Sequence, residues 1–330
     1  MATPTILRWE NLTKTAFDRI DRERAVVLVT CSPMEVHGPH LPLGTDAFEG
    51  DGLARRMVSH LDARHHERTF IQLPFIWVAT DNVPQPGSIF FKAATIVAVL
   101  EDLGRSLAAQ GFRHIWVSNF HASPRHFLAI EEACERVNRR TGPRMVPVFS
   151  LMLARLMGGR LDGDLQRAVE AVIGAIPGVD RADLGGDSHA GFIETAQLLA
   201  LHPELVDPAF KDLPRATVEA WLAAQGHRPG GADGAGGGGG LGGLIRGARG
   251  DIRYYREGTY AGAPARATAE AGERILDAFA ARCAEATGEI LDGKASPLDA
   301  HSPLWRLRFL FLNSLLIGVT NRLLGHQPVC

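Results

Sequence analysis

From Glu35 to Asp46 the chain reads Glu-Val-His-Gly-Pro-His-Leu-Pro-Leu-Gly-Thr-Asp, two carboxylates and two imidazoles within twelve positions. Glu35 and His37 alternate with Val36, so extended backbone directs both to one face. Pro39, Pro42 and Gly44 then turn the chain, which lets Asp46 return to the same place. Carboxylate oxygens and imidazole nitrogens suit zinc, manganese or iron, and a close carboxylate can bridge two ions. The segment follows the apolar run Ala25-Val-Val-Leu-Val-Thr30, which reads as a buried strand. Ligands of α/β folds sit at the carboxyl ends of such strands. These residues predict a metal site.

Four further segments follow in order: Pro86-Gly-Ser-Ile, Asn119-Phe-His121, Asp187-Ser-His-Ala-Gly-Phe-Ile-Glu-Thr195, and Gly262-Ala-Pro with Ala-Thr-Ala-Glu shortly after. Together with the first block they resemble the signature of the creatininase (creatinine amidohydrolase) family over roughly residues 20 to 290. The resemblance implies a metal-dependent hydrolase that cleaves a C–N amide bond, in a cyclic amide, a formamide or a small peptide-like amide. It implies a hydroxide bridging two divalent metal ions, with Glu35, His37, Asp46 and His121 as ligands. Zinc is the first expectation, with manganese or iron allowed. In creatininase a Glu two residues after the strand-end His is also a ligand. Here that position is Ser123, and Glu194 is the carboxylate expected to replace it.

Asp46 suits the bridging position, with Glu35 and His121 on one ion and His37 and Glu194 on the other. Coordination lowers the pKa of water to about 7, which makes a nucleophile at neutral pH. The leaving nitrogen needs a proton, and His189 is the expected general acid, oriented by Asp187. His40 is expected to hydrogen-bond a ligand carboxylate. The chain departs from the family at Phe120, which would narrow the pocket if it faced it, at Asn82 and at Phe192. These changes argue against creatinine as substrate and leave two other readings open. One is an inactive metal-binding family member; the other is a metal-dependent lyase or isomerase.

The elements that must position these residues follow a strand–helix alternation. Apolar runs predict strands over 25–30, 69–74, 114–119 and 144–149. Helical spacing predicts helices over 46–60, 93–110, 124–139, 164–176, 191–201 and 264–287, with Pro124 and Pro264 as starts. The pattern is that of a parallel sheet flanked by helices, and the resemblance implies a three-layer α/β/α fold around a mostly parallel sheet, in a domain over residues 1–295. The glycine-dominated stretch 226–250 reads as a mobile loop. Residues 296–330 read as an apolar C-terminal extension, packed on its own domain or a sister subunit in preference to a membrane surface.

Composition excludes other classes. Thirty-five basic against 37 acidic side chains give a net charge of −2 and no electrostatic case for nucleic acid. Four scattered cysteines read as free thiols, consistent with a cytoplasmic protein. No signal peptide is legible at the start. The expected partners are a small-molecule amide and further copies of the chain, since the resemblance implies a homo-oligomer, often a hexamer.

Overall fold

Five short strands form an all-parallel sheet: β1 (Ile6–Arg8), β2 (Val26–Thr30), β3 (Phe70–Gln72), β4 (His114–Ser118) and β5 (Arg144–Pro147), in the order β1-β3-β2-β4-β5. The structure is a computed structural model and describes residues 5–61, 63–156, 173–226, 249–313 and 316–317. In β2 and β4 every residue is buried, which is why they read as unbroken apolar runs in place of an alternation. Successive side chains still divide between two cores. Val26, Leu28 and Trp116 face one side, and Val27, Val29, Ile115 and Val117 the other.

Among the described residues six longer helices cover the sheet: α1 (Thr45–His60), α2 (Ala93–Ala109), α3 (Pro124–Thr141), α4 (Val148–Leu156), α5 (Phe192–Leu201) and α6 (Ala269–Leu291). Helices α2 and α3 pack against one face, and α1, α4, α5 and α6 against the other. This is the expected three-layer arrangement. At Gly272 of α6 a Cβ would lie 1.8 Å from the carbonyl oxygen of Ala196. Only glycine allows α6 to approach α5 so closely, and α5 carries Glu194.

Sheet order matters for the site. From β2 the chain moves to β3 on one side, and later to β4 on the other. The gap above the β2 and β4 carboxyl ends is therefore the topological switch point, where helices diverge and leave a crevice. Glu35 follows β2 and His121 follows β4.

Several boundaries differ from expectation. The three-residue strand β1 is too short to show a pattern. The expected strand over 144–149 ends at Pro147, and α4 begins directly after it. Pro264 opens only a 3-10 turn. Helix α6 starts after Thr268, whose hydroxyl accepts the Ala271 N–H at 3.2 Å and so caps it. Most of the expected helix over 164–176, and residues 227–248 of the glycine-rich stretch, lie outside the described residues.

The described part of the C-terminal extension docks on α3. The Ser302 N–H donates to Glu131, while His301 and Arg308 approach Glu135 and Glu132 at 3.5 and 3.4 Å. His301 and Arg308 also lie against the Trp305 ring. Among the described residues no helix is long and apolar enough to cross a membrane. Cys31, Cys134 and Cys283 are buried free thiols.

Candidate metal centre

The loop after β2 folds back on itself through the Glu35 N–H to Leu43 carbonyl bond and the bridge between His37 and Leu41. That fold-back delivers Asp46, in the first turn of α1, beside Glu35 and His37. His121 enters from the end of β4 and Glu194 from the first turn of α5. Five side chains from three separate stretches meet in one place, and among the described residues they form two overlapping triads. Glu35, Asp46 and His121 make one, and His37, Asp46 and Glu194 the other, each with donor atoms within 4.8 Å of one another.

The spacings fit cations. Two donors each about 2.0–2.2 Å from an ion, at a tetrahedral angle, stand about 3.3–3.6 Å apart. Asp46 Oδ2 lies 3.5 Å from His37 Nε2 and 3.8 Å from His121 Nδ1. Glu35 Oε2 is 3.2 Å from His121 Nδ1, and Glu194 Oε2 is 3.7 Å from His37 Nε2. Glu35 Oε2, His37 Nε2 and Asp46 Oδ2 are buried with no hydrogen-bond partner among the described residues. Buried polar atoms rarely stay unpaired, so three orphans converging on one spot ask for a ligand.

Hydrogen bonding sets the imidazoles for the same purpose. A carbonyl oxygen can only accept, so a ring nitrogen bonded to one carries the hydrogen. His37 Nδ1 bonds the Glu35 carbonyl at 3.0 Å, and His121 Nε2 bonds that of Thr80 at 3.1 Å. In each neutral ring the inward nitrogen is left as a lone pair, the arrangement by which a backbone carbonyl orients a metal-bound histidine.

The electrostatics call for positive charge. Burial alone would lower the pKa of His37, but Asp46, Glu194 and Glu35 outweigh it and hold it up at about 10. Glu35 and Asp46 likewise hold His121 at about 9 against its burial. Burial raises Asp46, yet His37 and His121 keep its carboxyl below the ordinary range. Burial, with Asp46 adding to it, raises Glu194. Divalent cations would supply the charge these carboxylates now draw from protonated rings, and their binding would release those protons.

The partly buried His189 completes a third group with Glu35 and His37, its ring centroid 4.2 Å from that of His37. Its Nε2 donates to the Val36 carbonyl at 2.7 Å, leaving Nδ1 as an acceptor in the neutral ring. Desolvation first, then the charge of His37, holds its pKa down at about 4. Val36 thus supplies the orienting bond expected from Asp187. Asp187 instead caps α5, accepting the N–H groups of Phe192 at 2.5 Å and Ile193 at 3.0 Å. A Cβ at Gly262, where φ is +141°, would lie 2.0 Å from Asp187 Oδ1, so the glycine makes room for the cap. Asp187 thereby sets the helix turn that holds Glu194, whose Oε2 also accepts the Ala190 N–H.

Other expectations shift. His40 bonds the Thr195 hydroxyl at 2.8 Å and not a ligand carboxylate. Phe120 turns into the core against Phe149 and Phe279. Phe192 is core as well, and Asn82 holds the Ile89 carbonyl. Glu49 was not singled out by sequence, although it stands one helical turn after Asp46, a spacing that puts both on one face of α1. Both its oxygens are buried without a hydrogen-bond partner among the described residues. Burial, then Glu194 and Asp46, raises its carboxyl well above the usual range.

The family model for creatininase, described as creatinine amidohydrolase, matches residues 10–287. No curated protein sequence matches the chain. Among solved structures it is similar to a creatinine amidohydrolase (creatininase), with TM-score 0.55 and 19% identity over 87% of this chain and 97% of that one. A manganese creatininase gives TM-score 0.54 and 18% identity over 88% and 99%. A creatininase point mutant of Zn–Zn type gives 0.56 and 18% over 88% and 98%. At such identities the structural likeness speaks for the fold.

Proposed function

The chain belongs to the creatininase family, and from that premise we propose that it is a binuclear metal-dependent amidohydrolase acting on a small amide. The observation that carries this reading is the pair of donor triads sharing Asp46. Glu35, Asp46 and His121 would hold one divalent ion, and His37, Asp46 and Glu194 the other, with zinc or manganese suited to the oxygen and nitrogen donors. When bound, such ions would polarise the amide carbonyl and lower the pKa of a coordinated water to about 7.

The protein's own residues do the rest. Asp46 keeps the two triads in register, and the carbonyls of Glu35 and Thr80 hold each histidine in its donor tautomer. Neutral His189 accepts a proton at Nδ1 and returns it to the leaving nitrogen, which otherwise departs as an unstable anion. His121 is kept among the changes at residues 120–124, and Glu194 stands in for the carboxylate that Ser123 does not supply, which favours hydrolysis over an inactive scaffold.

Incubating the zinc- or manganese-loaded protein with cyclic and linear amides in ¹⁸O-water tests the proposal. Hydrolysis places solvent oxygen in the new carboxylate. A product formed without solvent oxygen indicates a lyase or isomerase, and metal uptake without turnover on any amide indicates a scaffold.

A further inference from the structure

The loop after β3 touches the centre twice without contributing a donor to it. The Thr80 carbonyl fixes His121, as described, and the Val83 N–H donates to Glu35 Oε1 at 2.5 Å, turning the other oxygen inward. Between these contacts lies Asp81 with φ at +62°, in the left-handed region that side-chain-bearing residues seldom adopt. Its carboxylate is held on both oxygens. Arg125 Nη1, in the first turn of α3 and 9% exposed, pairs with Oδ1 at 2.6 Å, and the Ser123 hydroxyl donates to Oδ2 at 3.1 Å. Ser123 stands two residues after His121; it ties the segment that carries His121 to the loop that orients it.

Both contacts serve the triad of Glu35, Asp46 and His121. The inward atoms of the other triad are set elsewhere, His37 by the Glu35 carbonyl and Glu194 by the Ala190 N–H. We propose that Asp81 is a positioning residue whose clasp on Arg125 and Ser123 sets the affinity of the ion held by Glu35, Asp46 and His121, and leaves the other ion's affinity unchanged. The inference rests on the binuclear reading above. A strained φ persists only where its surroundings over-determine it. Without the clasp the loop relaxes, Thr80 and Val83 lose their alignment, and His121 and Glu35 must be ordered anew when the ion binds.

The test is zinc titration of chelator-stripped protein against a competing dye, with far-UV circular dichroism to verify folding. The parent takes up two equivalents. Asp81→Ala and Arg125→Ala keep one at parental affinity and bind the second about 10–100-fold more weakly, the usual loss when a ligand's supporting partner is removed. Asp81→Gly removes the carboxylate while relieving the backbone; it folds and shows the same single loss. Arg125→Lys, which keeps the charge, recovers part of it. Variants that bind both ions as tightly as the parent, or lose both alike, overturn the proposal. A parent that takes up no second equivalent overturns the binuclear reading, and the clasp with it, before any variant is compared.

Discussion

A histidine becomes a metal ligand when something else holds its second nitrogen, and His37 and His121 are each held by a backbone carbonyl. His189 is pinned the same way by Val36, yet it belongs to neither triad that shares Asp46. On the proposed reading, that difference makes His189 a proton carrier and the other two ligands. His189→Ala is expected to retain both ions while hydrolysis falls about 10²–10⁴-fold, the usual contribution of a positioned acid–base group. Metal analysis beside kcat across pH checks it; loss of an ion would make His189 a ligand instead. At this scale the sequence was most legible where the donors are contiguous. Twelve residues and their Pro and Gly spacing expose Glu35, His37 and Asp46 together. The Thr80 carbonyl and the Val83 N–H carry no signature, because every residue has such groups. The pairing of Asp81 with Arg125 joins positions 44 apart, and no local pattern records it.

At the scale of elements, strands and helices that face a core on every turn announce themselves. Those that end for local reasons do not. Strands β2 and β4 are buried throughout and were legible as apolar runs. The 144–149 run conceals a change of geometry at Pro147, because Val148 and Phe149 are apolar in either conformation. Pro264 looks like a helix start, but the hydroxyl of Thr268 satisfies the N-terminal amide and sets the true boundary. Phe120 is the instructive case for the site. Its place beside His121 suggested a pocket wall, whereas its ring fills the core between Phe149 and Phe279. Phe120→Ala should therefore destabilise the fold by about 3–5 kcal/mol, the cost of emptying an aromatic core position. Zinc stoichiometry should not change. Urea unfolding measures the first and metal analysis the second; a stable variant with altered amide selectivity would return Phe120 to the pocket.

For the whole molecule, α3 links the metal centre to the C-terminal extension. Its first turn supplies Arg125 to the clasp, and its middle supplies Glu131 to the Ser302 N–H. Burial raises the Glu131 carboxyl to about 7, against the hydrogen bonds of Ser302. An acid whose folded pKa lies above its unfolded value binds its proton more tightly in the native state. Its stabilisation is complete below the unfolded value near 4.5 and is lost as pH rises through about 7. The loss is roughly 3 kcal/mol, from about 1.4 kcal/mol per pH unit of displacement. Glu131→Gln, which keeps a neutral group there, is expected to flatten the fall in unfolding midpoint between pH 5 and about 8 relative to the parent. Parallel pH profiles of parent and variant would show the carboxyl already ionised in the fold.

The central claim is that Asp46 is shared between two cations at the crevice above β2 and β4. A crystal of the protein grown with manganese, with anomalous diffraction recorded at the metal edge, addresses it directly. The account predicts two peaks flanking the Asp46 carboxylate. One is ligated by Glu35 and His121, the other by His37 and Glu194, with oxygen and nitrogen donors suited to manganese. A single peak, or peaks that leave Asp46 or His121 uncoordinated, would contradict it.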